Sequence, residues 1–380
     1  MLSTDGYGNR VLSESTPAYR IYPELGPKMG ANGNRNMLTQ SAGSAQFKVD
    51  AQGNKQGLLA ATAQTWSQAV PVIGTTPSSP ETRGTQATIW RPQSTYSWLP
   101  TNTTANGLTP VTGSNSFTDF FTGGGGAPWK KTAEVTLYDV YSNALEAADV
   151  NAKYVATKKG FNQSRVLVSG GPARYDEIAY TGAEEPLFNG AFSGGVRPYW
   201  PSWLASPPDV YTESTPTGKT HTGSGSILVR NNQNGVVYEP TIGSIDGTKP
   251  YRASVWATSP NVGLYYCVDE NTAQAVTVVG RADRGANGWY QINLDIPPIG
   301  SGHSSLRVGV WNGTGQEVYV DDFRFQPTNA QTTAYVYDQK TGQVAYLLDN
   351  NNLYTRYQYD AAGRLTKVSR ETFKYQAKLV

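Results

Sequence analysis

Two short stretches carry residue types that could grip a sugar. In residues 250–258, PYRASVWAT, alternation puts Tyr251, Ala253 and Val255 on one face and Arg252, Ser254 and Trp256 on the other. In residues 305–313, SLRVGVWNG, Leu306, Val308 and Val310 share an apolar face, which leaves Arg307, Gly309 and Trp311 opposite. Each strand thus holds an Arg and a Trp four residues apart on its non-core side. An indole is a flat platform for the apolar face of a pyranose, and a guanidinium supplies planar donors for its hydroxyls. If the two strands are neighbours, Arg252, Trp256, Arg307 and Trp311 form one patch, with Tyr265 beside Trp256. The competing expectation is that Trp256 and Trp311 cover a sheet edge or pack on the tail of the chain. A second feature is the adjacent pair Asp321 and Asp322 inside the apolar run EVYVDDFRF. A bound cation, a capped strand end or a solvent face would each account for it.

Catalytic chemistry finds little support. The single cysteine, Cys267 in LYYCVDE, reads as a small buried hydrophobe, and no intramolecular disulfide can form. His221 in THTG and His303 in GSGHSS fall in turn-like segments and read as exposed. The serines of GSGS at 223–226 lead into a strand, not the strand-to-helix turn a nucleophile needs. Gly123–Gly126 is not a phosphate loop, because neither Gly-Lys-Ser/Thr nor a helix follows. No pair of carboxylates stands out for glycoside hydrolysis. The expectation is a non-enzyme.

The elements that must position these residues are strands. Charged residues are 16% of the chain, against about 25% in ordinary globular proteins. Gly, Ser, Thr, Asn and Tyr fill the difference, and that mixture favours strands and turns. A net charge of +2 gives no electrostatic case for nucleic acid or a membrane surface. No apolar run reaches the ~18 residues a membrane helix needs. The N-terminal MLSTDGYGNR shows no signal-peptide pattern, although the composition looks extracellular. These facts agree if the chain is a piece of a longer exported or cell-surface protein.

The expected fold class is all-β: an antiparallel β-sandwich of jelly-roll type, flanked by an irregular N-terminal region and C-terminal hairpins. Residues 1–125 read as strand-poor and partly disordered, with Pro71–Gly84 and Thr101–Gly126 as loops or linkers. Residues 126–176 read as a β-rich connection. From 177 to 327, short strands recur every 10 to 15 residues without helices between them, which indicates the sandwich. Its last two strands, Leu306–Trp311 and Glu317–Phe325, read as a hairpin around Asn312–Gln316. Residues 330–370 hold an internal repeat, YVYDQKTGQV and YQYDAAGRLTKV, each a strand, an Asp/Gly turn and a strand. Two copies are too few to bury a face, so the array should continue or pack on a neighbour.

That repeat resembles the YD repeats of the RHS family, with weaker echoes in DGYGNR and YDVYSNALE. The resemblance implies a strand-rich structural shell, an exported setting and a larger RHS-type polypeptide as partner. The segment 177–327 resembles the jelly-roll carbohydrate-binding modules of bacterial glycoside hydrolases, through AYTGAEE, THTGSGSILVR, YRASVWATS, GWYQINLDI and VYVDDFRF. This second resemblance implies a glycan partner. It also implies a structural calcium ion held between the first strand and the last, by Glu184 or Glu185 and by Asp321 or Asp322. Calcium takes six to eight oxygens, which such carboxylates could supply.

Overall fold

The computed structural model describes the chain except for residues 5–8, 29–33, 75–81, 101–102, 105, 186–193, 199–210, 213–218, 241–243, 270–275, 280–284, 287, 301, 304, 373–374 and 380. Most of the Pro- and Trp-rich stretch after Glu184 and the DGYG of the first repeat echo therefore lie outside the described residues. The chain divides into two compact units: Met1–Thr75 with Arg83–Ala152, and Thr76–Thr82 with Lys153–Val380.

The first unit is an antiparallel sheet. Its strands run in order Leu2–Thr4, Arg10–Pro17, Ser41–Val49, Lys55–Ser67, Arg91–Trp98, Trp129–Asp139 and Ala144–Asp149. Val72–Ile73 pairs parallel to Trp129–Asp139. Residues 1–125, expected to be strand-poor, thus supply most of a sheet. The signal was weak because KQGLLAATAQTWS uses small and polar residues where a strand normally shows Val or Ile. The small residues Ala61 and Ala63 pack with Phe47, Val49, Leu58, Trp98 and Trp129. The stretch that reads as a linker folds back and lays Val111, Phe117, Phe120 and Phe121 on the same cluster.

The second unit begins as a meander of antiparallel strands. Tyr154–Gly160, Arg165–Gly171, Gln331–Tyr337, Val344–Leu348, Tyr354–Tyr359, Leu365–Thr372 and Tyr375–Leu379 each pair with the next. Gly171 stands opposite Gln331, so residues 172–330 leave the sheet and return to the neighbouring strand. The repeat therefore has more strands than its two legible copies, and the sandwich is an insert in one of its loops. The turns share a device. Asp338, Asp349 and Asp360 each accept backbone N–H bonds from residues two and three or four positions on. Asp50 and Asp139 close turns of the first unit in the same way. Aspartate suits this role because its short carboxylate reaches the turn amides.

The insert is an antiparallel β-sandwich of jelly-roll type. One sheet orders Tyr211–Thr212, Ile227–Val229, Val318–Pro327, Tyr251–Ala257, Trp289–Ile296 and Gly285–Ala286, with Ala179–Thr181 also on Val318–Pro327. The other orders Val196–Pro198, Gln233–Tyr238, Leu306–Asn312, Gly263–Val268 and Val276–Val279. Their inner faces meet in a core of Val236, Tyr238, Tyr251, Val255, Leu264, Ile292, Val308, Val310, Val320 and Phe325, among others. Leu306–Asn312 and Val318–Pro327 are not a hairpin, as expected from sequence, because they belong to opposite sheets. The turn between them crosses the sandwich. Fully buried Asn312 holds it, donating from Nδ2 to the Val229 and Gln316 carbonyls and accepting from the Thr314 N–H.

Candidate functional site

The expected basic-aromatic patch does not form, because its halves lie on different sheets. Alternation placed every side chain on the correct face, but faces do not identify neighbours. Arg252 and Trp256 point out of the sheet containing Val318–Pro327, whereas Arg307, Trp311 and Tyr265 point out of the other. Tyr265 therefore lies away from Trp256. Exposed Arg252 pairs with Asp295 at 2.7 Å.

Trp256 is fully buried. Its Nε1 donates to the Asn352 carbonyl at 2.8 Å. Asn352 lies in the turn between Val344–Leu348 and Tyr354–Tyr359, and that turn covers the outer face of the sheet. Gln326 Nε2 donates to Asn350 Oδ1 at 2.8 Å, and Asn352 Nδ2 donates to the Asp322 carbonyl at 2.8 Å. Gln291 donates to the Asn351 carbonyl, and Arg324 to the Asp349 and Leu348 carbonyls. The competing expectation, packing on the tail, thus holds for Trp256.

Beneath this contact is a buried ionic cluster. His221 stacks on Trp256 with ring centroids 4.0 Å apart and planes 16° apart. Its Nδ1 bonds Asp322 Oδ2 at 2.7 Å, and its Nε2 bonds Glu371 Oε1 at 2.9 Å. Only 3% of the side chain is exposed, which overturns its expected exposure. Trp289 is buried here too, 5.8 Å from His221 and outside the sandwich core. Burial lowers the His221 pKa, but hydrogen bonds and charge from Asp322 and Glu371 outweigh it and raise the value to about 9. The imidazole is therefore a cation near neutrality. Nothing in the sequence singled out Glu371, Asn352 or Tyr180, since each reaches the cluster through long-range topology.

The two aspartates reach one cluster because the strand slips. Between Ser254 and Trp256 the pairing shifts by one residue, and Asp322 takes a left-handed φ of 50°. Such a bulge re-aims side chains that alternation would separate. Asp321 accepts N–H bonds from His221 at 2.9 Å, Thr222 at 3.1 Å and Asp322 at 2.7 Å. Asp322 accepts from the Tyr180 hydroxyl at 2.5 Å and the Thr222 hydroxyl at 2.9 Å. Glu184 accepts from the Ser224 and Gly225 N–H groups at 2.9 and 3.0 Å and from the Ser224 hydroxyl at 2.9 Å. Burial, then the charges of Asp322 and Glu184, push the Asp321 pKa well above the carboxylate range. Burial likewise carries Glu184 to about 7, against the hydrogen bonds from Gly225 and Ser224.

Asp321, Asp322 and Glu184 therefore share one environment, as the calcium expectation required. Glu185 does not. Its carboxylate accepts from the Phe161 N–H, although Glu184 and Glu185 both line a small hollow with Phe161, Leu167, Tyr335 and Tyr337. The donor set does not fit a hard cation as arranged. The carboxylate oxygens face N–H and O–H donors, and His221 already supplies a positive charge. Among the described residues, no group of three His, Cys, Asp or Glu is disposed to hold a metal ion.

On the five-stranded sheet, Arg307 and Arg197 both bond Glu239, Arg197 through Nε at 3.0 Å. Burial would raise the Glu239 pKa, but Arg307 and Arg197 hold it below its ordinary value. Arg197 and Glu239 carry no sequence signal: the strand Val196–Pro198 is too short to show alternation, and Glu239 lies just past Gln233–Tyr238, where none runs. Gly309 is required between these groups and Tyr265. A Cβ there would lie 2.7 Å from the Tyr265 hydroxyl and 2.7 Å from a Val237 methyl. Half-buried Trp311 stands one pleat along the strand, opposite Gly263 and Asn234.

No protein-family model matches the sequence. No curated protein matches it either. Among solved structures, a xylan-binding domain of carbohydrate-binding module family 22 aligns at 17% identity and TM-score 0.24, over 31% of this chain and 81% of that one. The family 22 xylan-binding domain of Paenibacillus barcinonensis Xyn10C aligns at 14% identity and TM-score 0.25, over 39% and 92%. A family 61 module, TmCBM61, solved with β-1,4-galactotriose, aligns at 14% identity and TM-score 0.21, over 40% and 90%. All three are carbohydrate-binding modules.

Proposed function

We propose that the chain is a non-catalytic structural segment of a larger, exported RHS-like shell, and that the jelly roll is a rigidly seated insert in it. The observation that carries this reading is the seating of Trp256, His221 and Asp322 of the insert on Asn352 and Glu371 of the strand array. A tethered binding module needs no such joint. Among the described residues, no helix is long and apolar enough to cross a membrane. Native-state hydrogen exchange tests the reading. Amides of Tyr251–Ala257 and Tyr354–Tyr359 should open together, with one free energy and one denaturant dependence. If the array opens while the insert stays closed, the rigid-shell reading fails.

A second reading, glycan binding by the insert, is favoured by Arg197, Glu239, Arg307 and Trp311 on the five-stranded sheet. These supply a planar charged row with an indole beside it, the combination a pyranose needs. Trp311→Ala should weaken binding to a glycan array about tenfold, the ratio that about 1.4 kcal/mol represents, with little loss of stability. An array with no wild-type binding removes this reading.

A further inference from the structure

The first unit contains a cleft of about 210 Å³ that neither reading uses. Its floor is one face of the sheet, where register places Gly43 opposite both Thr16 and Ala63, and Ala45 opposite Glu14. Small side chains leave the floor low. Its wall is aromatic: Phe117, Phe120 and Phe121 are half-buried, and Trp129 lies behind them. Phe120 meets Phe121 at 5.0 Å and Trp129 at 5.4 Å, both near-perpendicular, so the wall is braced. At one end the Lys55 ammonium sits 4.0 Å over the Phe47 ring and bonds Glu14 at 2.8 Å. Asp119 lines the wall as well.

The geometry points to a binding site for a single pyranose ring of a glycan. The volume exceeds the roughly 150 Å³ that accommodates benzene in an engineered protein cavity. A six-membered ring therefore fits. Purely apolar rings gain nothing from the Glu14–Lys55 pair or Thr16, and must strip water from them. A pyranose turns its C–H face to the phenyl wall and its hydroxyls to those groups. This is a second surface, independent of the insert and of the shell reading.

The test is saturation-transfer NMR and tryptophan fluorescence on the full chain, with methyl α- and β-pyranosides of glucose, galactose and mannose, and with p-cresol as a mimic of a tyrosine side chain. At least one pyranoside should bind with Kd on the order of 1 mM, as a ligand of about a dozen heavy atoms permits. Ala45→Leu, which fills the floor, should weaken that binding at least tenfold. Glu14→Gln/Lys55→Met, which keeps the shape and removes the charges, should weaken it several-fold and guards against failure of the first variant to fold. Binding of p-cresol alone, or of no pyranoside, overturns the assignment. So does pyranoside binding that survives both variants.

Discussion

Trp256→Ala is expected to destabilise the second unit by about 3–5 kcal/mol, the cost of emptying a large buried aromatic site. The side chain is fully buried, and its loss also removes a face from the His221 ring and a donor from the Asn352 carbonyl. An unpaired buried carbonyl adds roughly 1–3 kcal/mol. Trp311→Ala, at a half-buried position on the other sheet, should cost much less. Urea unfolding at neutral pH distinguishes the two. A loss below about 1 kcal/mol for Trp256→Ala would mean that the indole is not a joint residue.

Stability should also fall as pH rises through neutrality, the reverse of the trend set by ordinary surface carboxylates. A group that binds its proton more tightly when folded stabilises the fold while protonated, and that contribution disappears as pH passes its folded pKa. His221 rises from 6.5 to about 9, so its contribution is complete below 6.5 and gone above 9. Glu184 rises from 4.5 to about 7 and adds a falling limb over that earlier interval. At about 1.36 kcal/mol per pKa unit, each limb is worth at most about 3 kcal/mol. Acidic loss sets in as pH falls through the ordinary carboxylate range and is complete only below it, because Asp338, Asp246 and Glu239 have depressed values. The urea midpoint should therefore peak near pH 5. His221→Gln should flatten the limb between 6.5 and 9. A wild-type midpoint that rises across that interval contradicts the buried cationic histidine.

Much of the insert was legible because its strands alternate. Core and outward faces of Tyr251–Ala257 and Leu306–Asn312 follow residue by residue from PYRASVWAT and SLRVGVWNG. Even the bulge leaves a trace. Core positions run Val318, Val320, Phe323 and Phe325, and the change from even to odd marks the slip at Asp321–Asp322. Partnership was not legible. Period two names a face, but pairing depends on contacts far apart in sequence, so two similar Arg/Trp strands were joined although they lie on opposite sheets. His221 reads as a loop residue because Thr and Gly surround it. Residues distant in sequence bury it: the Trp256 ring, and Asp322 and Glu371, 101 and 150 residues away. The first unit is obscure in the sequence for another reason: its strands use alanine and glycine, and part of the apolar cover, Val111, Phe117, Phe120 and Phe121, comes from a stretch that reads as a linker.

The direct pairing of Arg165–Gly171 with Gln331–Tyr337 sets an order of events during folding. Joining those strands through a disordered 172–330 would cost roughly 4–5 kcal/mol in closure entropy, a term that grows as the logarithm of loop length. If the sandwich forms first, its ends already lie side by side, and the same connection becomes a short turn. On a ribosome, Gln331–Tyr337 emerges only after the last sandwich strand, so synthesis itself favours this sequence. The Asp/Gly turns downstream are local and close quickly once that strand is placed. The one pairing that spans the insert is therefore expected to follow its folding, whereas the hairpin before it and the hairpins after it need only local contacts.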